Sequence, residues 1–215
     1  MNHTLFLGSK SQSRQMLLRE AQIPFVLANQ DADEAVCDWN LPLEQAVAAI
    51  AAYKMQHVIL PHSSEGDCCF VLTADTLSTD VHGKLNGKPV DRADAIKKIK
   101  DNRDSMIHLA TAFCLERKVY HNGQWHQEEL IDRVICARYL FDVPDAWIDI
   151  YLEKSLGLTT SGAVAIELFG SQFLKTIEGS YTTIIGLPLF EVREALTELG
   201  FFDDILKKIG NAHSE

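Results

Sequence analysis

The stretch FVLTADT, residues 70–76, begins as an apolar run and breaks into an acid and a hydroxyl, and GKLNGKP follows at residues 83–89. A short apolar run bounded by turn signals reads as a buried sheet strand. CCFVLTAD, residues 68–75, is therefore expected to form a strand that runs out at Asp75 and Thr76. Open α/β sheets place ligands beyond the carboxyl ends of their strands. A buried carboxylate without a partner is costly, so Asp75 requires a cation, a metal or hydrogen-bond donors. A structural salt bridge meets that need, and so does a reactive site. DVHGKL reads as a tight hairpin turning at Gly83. It is followed by Lys88 in a GKP turn whose conformations Pro89 limits.

Upstream, TLFLGS reads as a first buried strand and SRQMLLREAQI as a helix that Ser11 or Ser13 could cap. Pro24 stops that helix, FVLA returns as a strand, and DADEAVCDWN is a polar loop. Pro42 to about Ile59 has helical propensity and periodicity. Downstream, Asp91 opens a helix and MIHLATAFCLERKVY forms a long strand. HNGQW carries an Asn-Gly turn signal, so LIDRVICARYLF is its return strand. A helix is expected from about Pro144, capped by Asp142 and stopped by Gly157. GAVAIELF and FLKTIEG read as two more strands, and LPLFEVREALTEL as a closing helix ending near Gly200. Helices and strands mixed in this order, with antiparallel hairpins, indicate an α/β fold built on a mixed sheet.

The chain has 215 residues and a formal net charge of -10. That length suits one domain, expected over residues 1–205 and bilobal, with a flexible tail at 206–215. The negative balance argues against a general nucleic-acid surface, which needs a basic face. MNHTLFLGSK is too short in apolar residues for a signal peptide, and no run approaches the roughly 18 apolar residues of a membrane span. The expected location is the cytoplasm, with neither nucleic acid nor membrane as a partner. Five cysteines without CxxC spacing read as structural thiols.

Four places could carry chemistry. GSKSQSR, residues 8–14, lies between a strand and a helix, where small and hydroxyl residues let backbone N–H groups approach an anion; ordinary helix capping explains it about as well. Lys54 shares a helical stripe with Val47, Ile50, Ala51 and Val58. Its stem could pack while its ammonium escapes to water, or it could border a cleft and meet a phosphate. Asp75 is the third. DADE, residues 31–34, is the fourth: Asp33 and Glu34 could complete a hard-cation site with Asp75, although acidic loops are usually just solvated. The histidines show no ligand spacing such as HExxH.

Taken in order, these segments resemble the Maf family, the septum-formation-inhibitor-like nucleoside triphosphate pyrophosphatases. LFLGSKSQSRQMLL is similar to the family's opening LASxSPRRxxLL, DADE to its acidic loop, and AAYKMQHV to the helix that carries its lysine. VLTADTLSTDVHGKLNGKPVD looks like its ADTxV…GxxLGKPxD signature, and EGSYTTIIGLPLFEV like its closing GSYxNVVGLPL. The resemblance implies a bilobal mixed-sheet α/β fold of the inosine-triphosphate-pyrophosphatase type, with a cleft between the lobes. It also implies hydrolysis of a nucleoside triphosphate to the monophosphate and pyrophosphate, assisted by a divalent cation, Mg2+ or Mn2+. Asp75 matches the family's proton acceptor, and Ser9, Arg14, Glu34, Lys54 and Lys88 fall on its polar site positions. On that footing Asp75 activates water or holds the metal with Glu34, and Arg14, Lys54 and Lys88 neutralise phosphates. Ser9, Ser11, Ser13, Thr76 and Glu167 are the expected substrate contacts. A homodimer is left open.

Departures from the family pattern bear on the base. Ser13 stands where the first of paired arginines is usual, Thr160 replaces a lysine, Val164 a tyrosine and Glu167 a glutamine. Glutamine donates and accepts hydrogen bonds, whereas ionised glutamate only accepts. ADT and GSYTTIIGLPL resemble the branch acting on dTTP and UTP, so the expected substrate is dTTP, UTP or a modified nucleotide. Glu167 is similar to the 7-methyl-GTP branch, which is the alternative, as is a nucleotide-binding regulator that has lost turnover. An aspartyl-phosphate phosphatase, suggested by the Asp-Thr pair, lacks the DxDxT signature.

Overall fold

The computed structural model describes residues 3–203. Its elements in chain order are β1 (Thr4–Leu7), α1 (Gln12–Glu20), β2 (Val26–Leu27), β3 (Asn29–Gln30), α2 (Leu43–Gln56), β4 (Val58–Ile59), β5 (Cys68–Thr79) and β6 (Leu85–Asn86). They continue with α3 (Arg92–Asp101), β7 (Ile107–His121), β8 (Gln124–Phe141), α4 (Ile148–Lys154), β9 (Leu174–Glu178), α5 (Tyr181–Ile185) and α6 (Leu189–Glu198). The main sheet runs β2-β1-β5-β7-β8-β9, with β6 also on β5. β1 pairs in parallel with β2 and β5, and the remaining pairs are antiparallel, so the sheet is mixed as expected. β7 turns into β8 through Asn122 and Gly123, whose φ angles of 51° and 79° match the hairpin turn that an Asn-Gly pair favours.

Side chains alternate across a strand with a period of two, and β5 uses both faces. Cys69 and Val71 pack with Val47, Ala51 and Met55 of α2, and the Thr73 hydroxyl donates to the Ala51 carbonyl at 2.9 Å. Phe70, Leu72 and Ala74 point the other way, into the main core with Leu17 and Leu18 of α1 and Phe113 and Leu115 of β7. Each such Leu or Phe contributes about 1.5–3 kcal/mol on burial, which pins the register. The same alternation then sends Asp75 to the α2 face and Thr76 to the α1 face.

Several local expectations change. β5 does not run out at Asp75: it continues to Thr79, with Asp75 opposite Ala112 on β7. A cation beside the carboxylate, described below, lets the strand carry it internally. GAVAIELF is not a strand. It forms short 3-10 turns at Ser161–Ala163 and Leu168–Phe173, broken from extended geometry by positive φ at Gly162, Ala163 and Leu168. The Tyr151 hydroxyl pegs this segment, donating to Ala163 O at 3.0 Å and accepting from Ala165 N–H at 2.8 Å. Asp142 does not cap a helix: its carboxylate pairs with Arg103 and Lys175, a 3-10 turn at Asp145–Trp147 leads into α4, and α4 ends at Ser155 before Gly157. The strand expected over FVLA is only Val26–Leu27, Val58 leaves the helix for β4, and α5 is an element the patterning missed. The expected tail at 206–215 lies outside the described residues. All five cysteines are free, and burial pushes the Cys69 and Cys114 thiols up to about 12, as unreactive structural thiols require. No helix among the described residues is long and apolar enough to cross a membrane.

Gly170 shows how tightly the irregular segment is folded. A Cβ there would lie 1.7 Å from the Ala165 carbonyl oxygen, a backbone atom that cannot swing aside. Gly170→Ala is accordingly expected to destabilise by at least the roughly 1–3 kcal/mol typical of overpacking. Urea unfolding checks this, and an unchanged midpoint would mean that the segment relaxes freely.

Candidate active site

The elements meet around a cavity of about 410 Å³. One end is charged and the other is largely apolar. At the charged end the Lys54 ammonium lies 2.6 Å from Asp75 Oδ1 and 3.0 Å from Glu34 Oε1. Lys54 and Asp75 are both 6% exposed, so neither the snorkelling lysine nor a solvated acid is what the fold produces. Asp75 Oδ2 is buried and accepts no hydrogen bond. Glu34 is half-buried on a 3-10 turn (Glu34–Val36) capped by the Asp33 carboxylate, and Asp33, unlike Glu34, does not line the cavity. Burial opposes ionisation of Glu34, but Lys54, then Lys88 and Arg14, outweigh it and hold the carboxyl below the ordinary glutamate range. Lys88 is exposed on the cavity rim.

Among the described residues no three His, Cys, Asp or Glu side chains gather into a metal cage. Magnesium, however, commonly uses only one or two carboxylates and completes its shell with phosphates and water. The donor set that Asp75 and Glu34 present, with a buried carboxylate oxygen unused, fits a hard divalent cation of that kind.

Arg14 is buried on the first turn of α1 and every guanidinium nitrogen is engaged. Nε donates to Gly186 O at 2.8 Å, Nη1 to Ser9 Oγ at 3.2 Å and Nη2 to Thr76 Oγ1 at 3.1 Å. Burial lowers its pKa from the ordinary value, and Asp75 and Glu34 pull it partly back. Thr111 donates to Thr183 O at 2.8 Å, so the 2.9 Å contact between Thr76 and Thr111 takes its proton from Thr76. Arg14, Thr76 and Thr111 thus form a directed chain that ties α1, β5, β7 and α5 together. Ser11 caps α1 through Arg14 N–H.

At the other end, the Ser13 hydroxyl donates to Glu167 Oε1 at 2.7 Å. Two of the four departures from the family pattern are therefore partners, both buried. Leu109, Tyr139, Val164, Ile184 and Ile185 supply much of the apolar lining here, and Thr160 and Ser161 add hydroxyls. The structure thus brings all of Ser9, Ser11, Ser13, Arg14, Glu34, Lys54, Asp75, Thr76, Lys88 and Glu167 to one cavity. Sequence reasoning missed Lys10, Gln30, Tyr139 and Ser161, which also line it. Lys10 was readable inside GSKSQSR, whereas nothing local marks Tyr139.

Removing the Lys54 charge leaves Asp75 buried beside no ammonium. Lys54→Met is expected to cost about 3–5 kcal/mol of stability, measured by urea unfolding at neutral pH; a loss below about 1 kcal/mol would mean that Asp75 finds other compensation. In the unmutated protein, the contribution from Glu34 is complete above the ordinary glutamate range and is lost as pH falls through its lowered native value.

Known proteins match along nearly the whole chain. A dTTP/UTP pyrophosphatase of Fusobacterium nucleatum is 28% identical over 206 residues, covering 95% of this chain and 100% of that protein. A dTTP/UTP pyrophosphatase of Caldicellulosiruptor bescii is 29% identical over 94% of this chain and 97% of its own length. One of Anaeromyxobacter dehalogenans is 30% identical over 92% and 94%. The family model described as Maf-like protein matches residues 4–199, and the chain belongs to the Maf-like protein family.

Proposed function

We propose that the chain is a cytoplasmic nucleoside triphosphate pyrophosphatase that converts dTTP, UTP or a modified nucleotide to the monophosphate and pyrophosphate. The observation that carries this reading is the unpartnered Asp75 Oδ2, a buried carboxylate oxygen in a cavity that Arg14, Lys54 and Lys88 also line. The names of the relatives support the substrate.

In this reading water attacks the α-phosphorus, the bond to the bridging oxygen breaks, and pyrophosphate leaves. Oδ1 of Asp75 is held by Lys54, so its one free oxygen, Oδ2, either accepts the proton from the attacking water or joins Glu34 in holding the metal. Lys88 offsets the charge that builds on the leaving group, Lys54 holds Asp75 and Glu34 together, and Arg14 fixes Ser9 and Thr76 beside them. Glu34 and Asp75 would hold Mg2+ or Mn2+, which when bound supplies Lewis-acid polarisation of phosphoryl oxygens. Ser9, Ser11, Ser13, Thr76 and Glu167 contact the nucleotide.

A panel of nucleoside triphosphates with magnesium or manganese tests the activity; absence of pyrophosphate from all of them would sink it. Asp75→Asn is nearly isosteric, and its amide oxygen still accepts from Lys54. Turnover is expected to fall by at least about 100-fold, the lower range of general-base contributions, with the circular-dichroism spectrum of the folded protein retained. Near-normal turnover would take Asp75 out of the catalytic role.

A second reading, the 7-methyl-GTP-type pyrophosphatase, is favoured by the buried Ser13–Glu167 pair. An ionised carboxylate only accepts hydrogen bonds. A guanine edge offers it adjacent N–H donors, while uracil and thymine set one N–H between two carbonyl oxygens. Glu167→Gln restores a donor and is expected to raise kcat/KM for UTP and dTTP relative to 7-methyl-GTP by about three- to tenfold, the worth of one hydrogen bond. An unchanged ratio would remove Glu167 from base reading.

A further inference from the structure

We propose that Lys10 is a phosphate-binding residue of this site, supplying a cation that position 13 does not; this rests on the pyrophosphatase reading. Four basic side chains line the cavity: Lys10, Arg14, Lys54 and Lys88. Two of them are already committed. Lys54 sits between Asp75 and Glu34, and Arg14 gives its nitrogens to Gly186 O, Ser9 and Thr76. Together these two cations only balance the two carboxylates of the charged end. Ser13 is turned to Glu167 and brings no charge. Among the described residues, Lys10 and Lys88 make neither a hydrogen bond nor an ion pair through their side chains, and both are exposed. They are the cations with charge to spare for a polyanion.

The backbone around Lys10 is fixed although its side chain is free. Gly8 N–H donates to Leu72 O at 2.9 Å, tying the β1–α1 loop to β5. Ser9 is buried, and its hydroxyl accepts from Arg14 Nη1 and from Ser11 N–H. The loop therefore holds the Lys10 backbone at the cavity with little further ordering of the main chain needed at binding. The depth of the groups sets the direction of the ligand. Asp75 is buried and the apolar end holds the base, so the α-phosphate lies deep and the rest of the polyphosphate leads out to the exposed lysines. The alternative for Lys10 is an ordinary solvated lysine that meets no ligand.

Calorimetric titration of the full chain in magnesium buffer, with inorganic pyrophosphate and with UMP as probes, separates these roles without depending on turnover. Lys10→Gln is expected to weaken pyrophosphate binding about three- to tenfold, to leave UMP binding unchanged, and to flatten the salt dependence of pyrophosphate affinity. Lys10→Arg is expected to restore all three. Wild-type affinity for pyrophosphate in Lys10→Gln overturns the proposal, and so does an equal loss for both probes, which would indicate a general distortion of the loop. Pyrophosphate binding that depends on Lys10 in a protein that cleaves no triphosphate would sustain the Lys10 site and remove only the hydrolytic reading.

Discussion

The Lys54 ammonium meets Asp75 at 2.6 Å and Glu34 at 3.0 Å, and the rest of the site is arranged around that three-membered group. An acid in the middle of a buried strand is sustained only by opposite charge, since desolvation alone would neutralise it. The cation comes from α2, whose Val47, Ala51 and Met55 are packed on the same face of β5 by apolar contact. Hydrophobic packing thereby places a lysine against an acid with a geometry that the two charges alone would not hold. The second carboxylate, on the acidic loop, is drawn in by the same ammonium.

A buried ion pair is weak evidence for stability, because its Coulombic gain is set against the cost of dehydrating both partners. Here the group is asymmetric. Lys54 uses one oxygen of Asp75 and leaves the other buried without a partner. Buried polar groups are mostly satisfied, although Asn102 Oδ1 and Thr183 Oγ1 share this condition among the described residues. What sets the Asp75 oxygen apart is its place on a side chain that lines the cavity together with Arg14 and Lys88.

Much of this was legible in the sequence because it is local or periodic. The hairpins announced themselves through Gly83 and Asn122-Gly123, and Lys54 through its place in an apolar helical stripe. The end of β5 was misjudged because an acid reads as a terminator until its cation is known, and that cation is 21 residues away in sequence. GAVAIELF has the composition of a strand, yet the Tyr151 hydroxyl takes its carbonyl and N–H groups and Gly170 lets the chain fold back on Ala165. The Ser13–Glu167 contact spans 154 residues and leaves no local trace. Each residue could be seen as a departure from the family pattern, but only the fold makes them a pair.

The two ends of the cavity differ in how they are built, and that difference bears on which can change. Asp75 lies within a run of consecutive paired residues between β5 and β7, and Lys54 on a packed helix, so a shift of either would disturb the core. Glu167, Thr160 and Val164 lie on irregular chain between α4 and β9, held by a tyrosine hydroxyl and short turns. Substitutions there alter one wall of the cavity without moving the strand that carries the carboxylate. Thr160, Val164 and Glu167, which depart from the family pattern, thus lie on irregular chain, whereas Asp75 and Lys54 are held by packed elements. The pairing of Ser13 with Glu167 adds a constraint to that freedom: a change at either position leaves the other's polar group buried and unpaired, so the two must vary together.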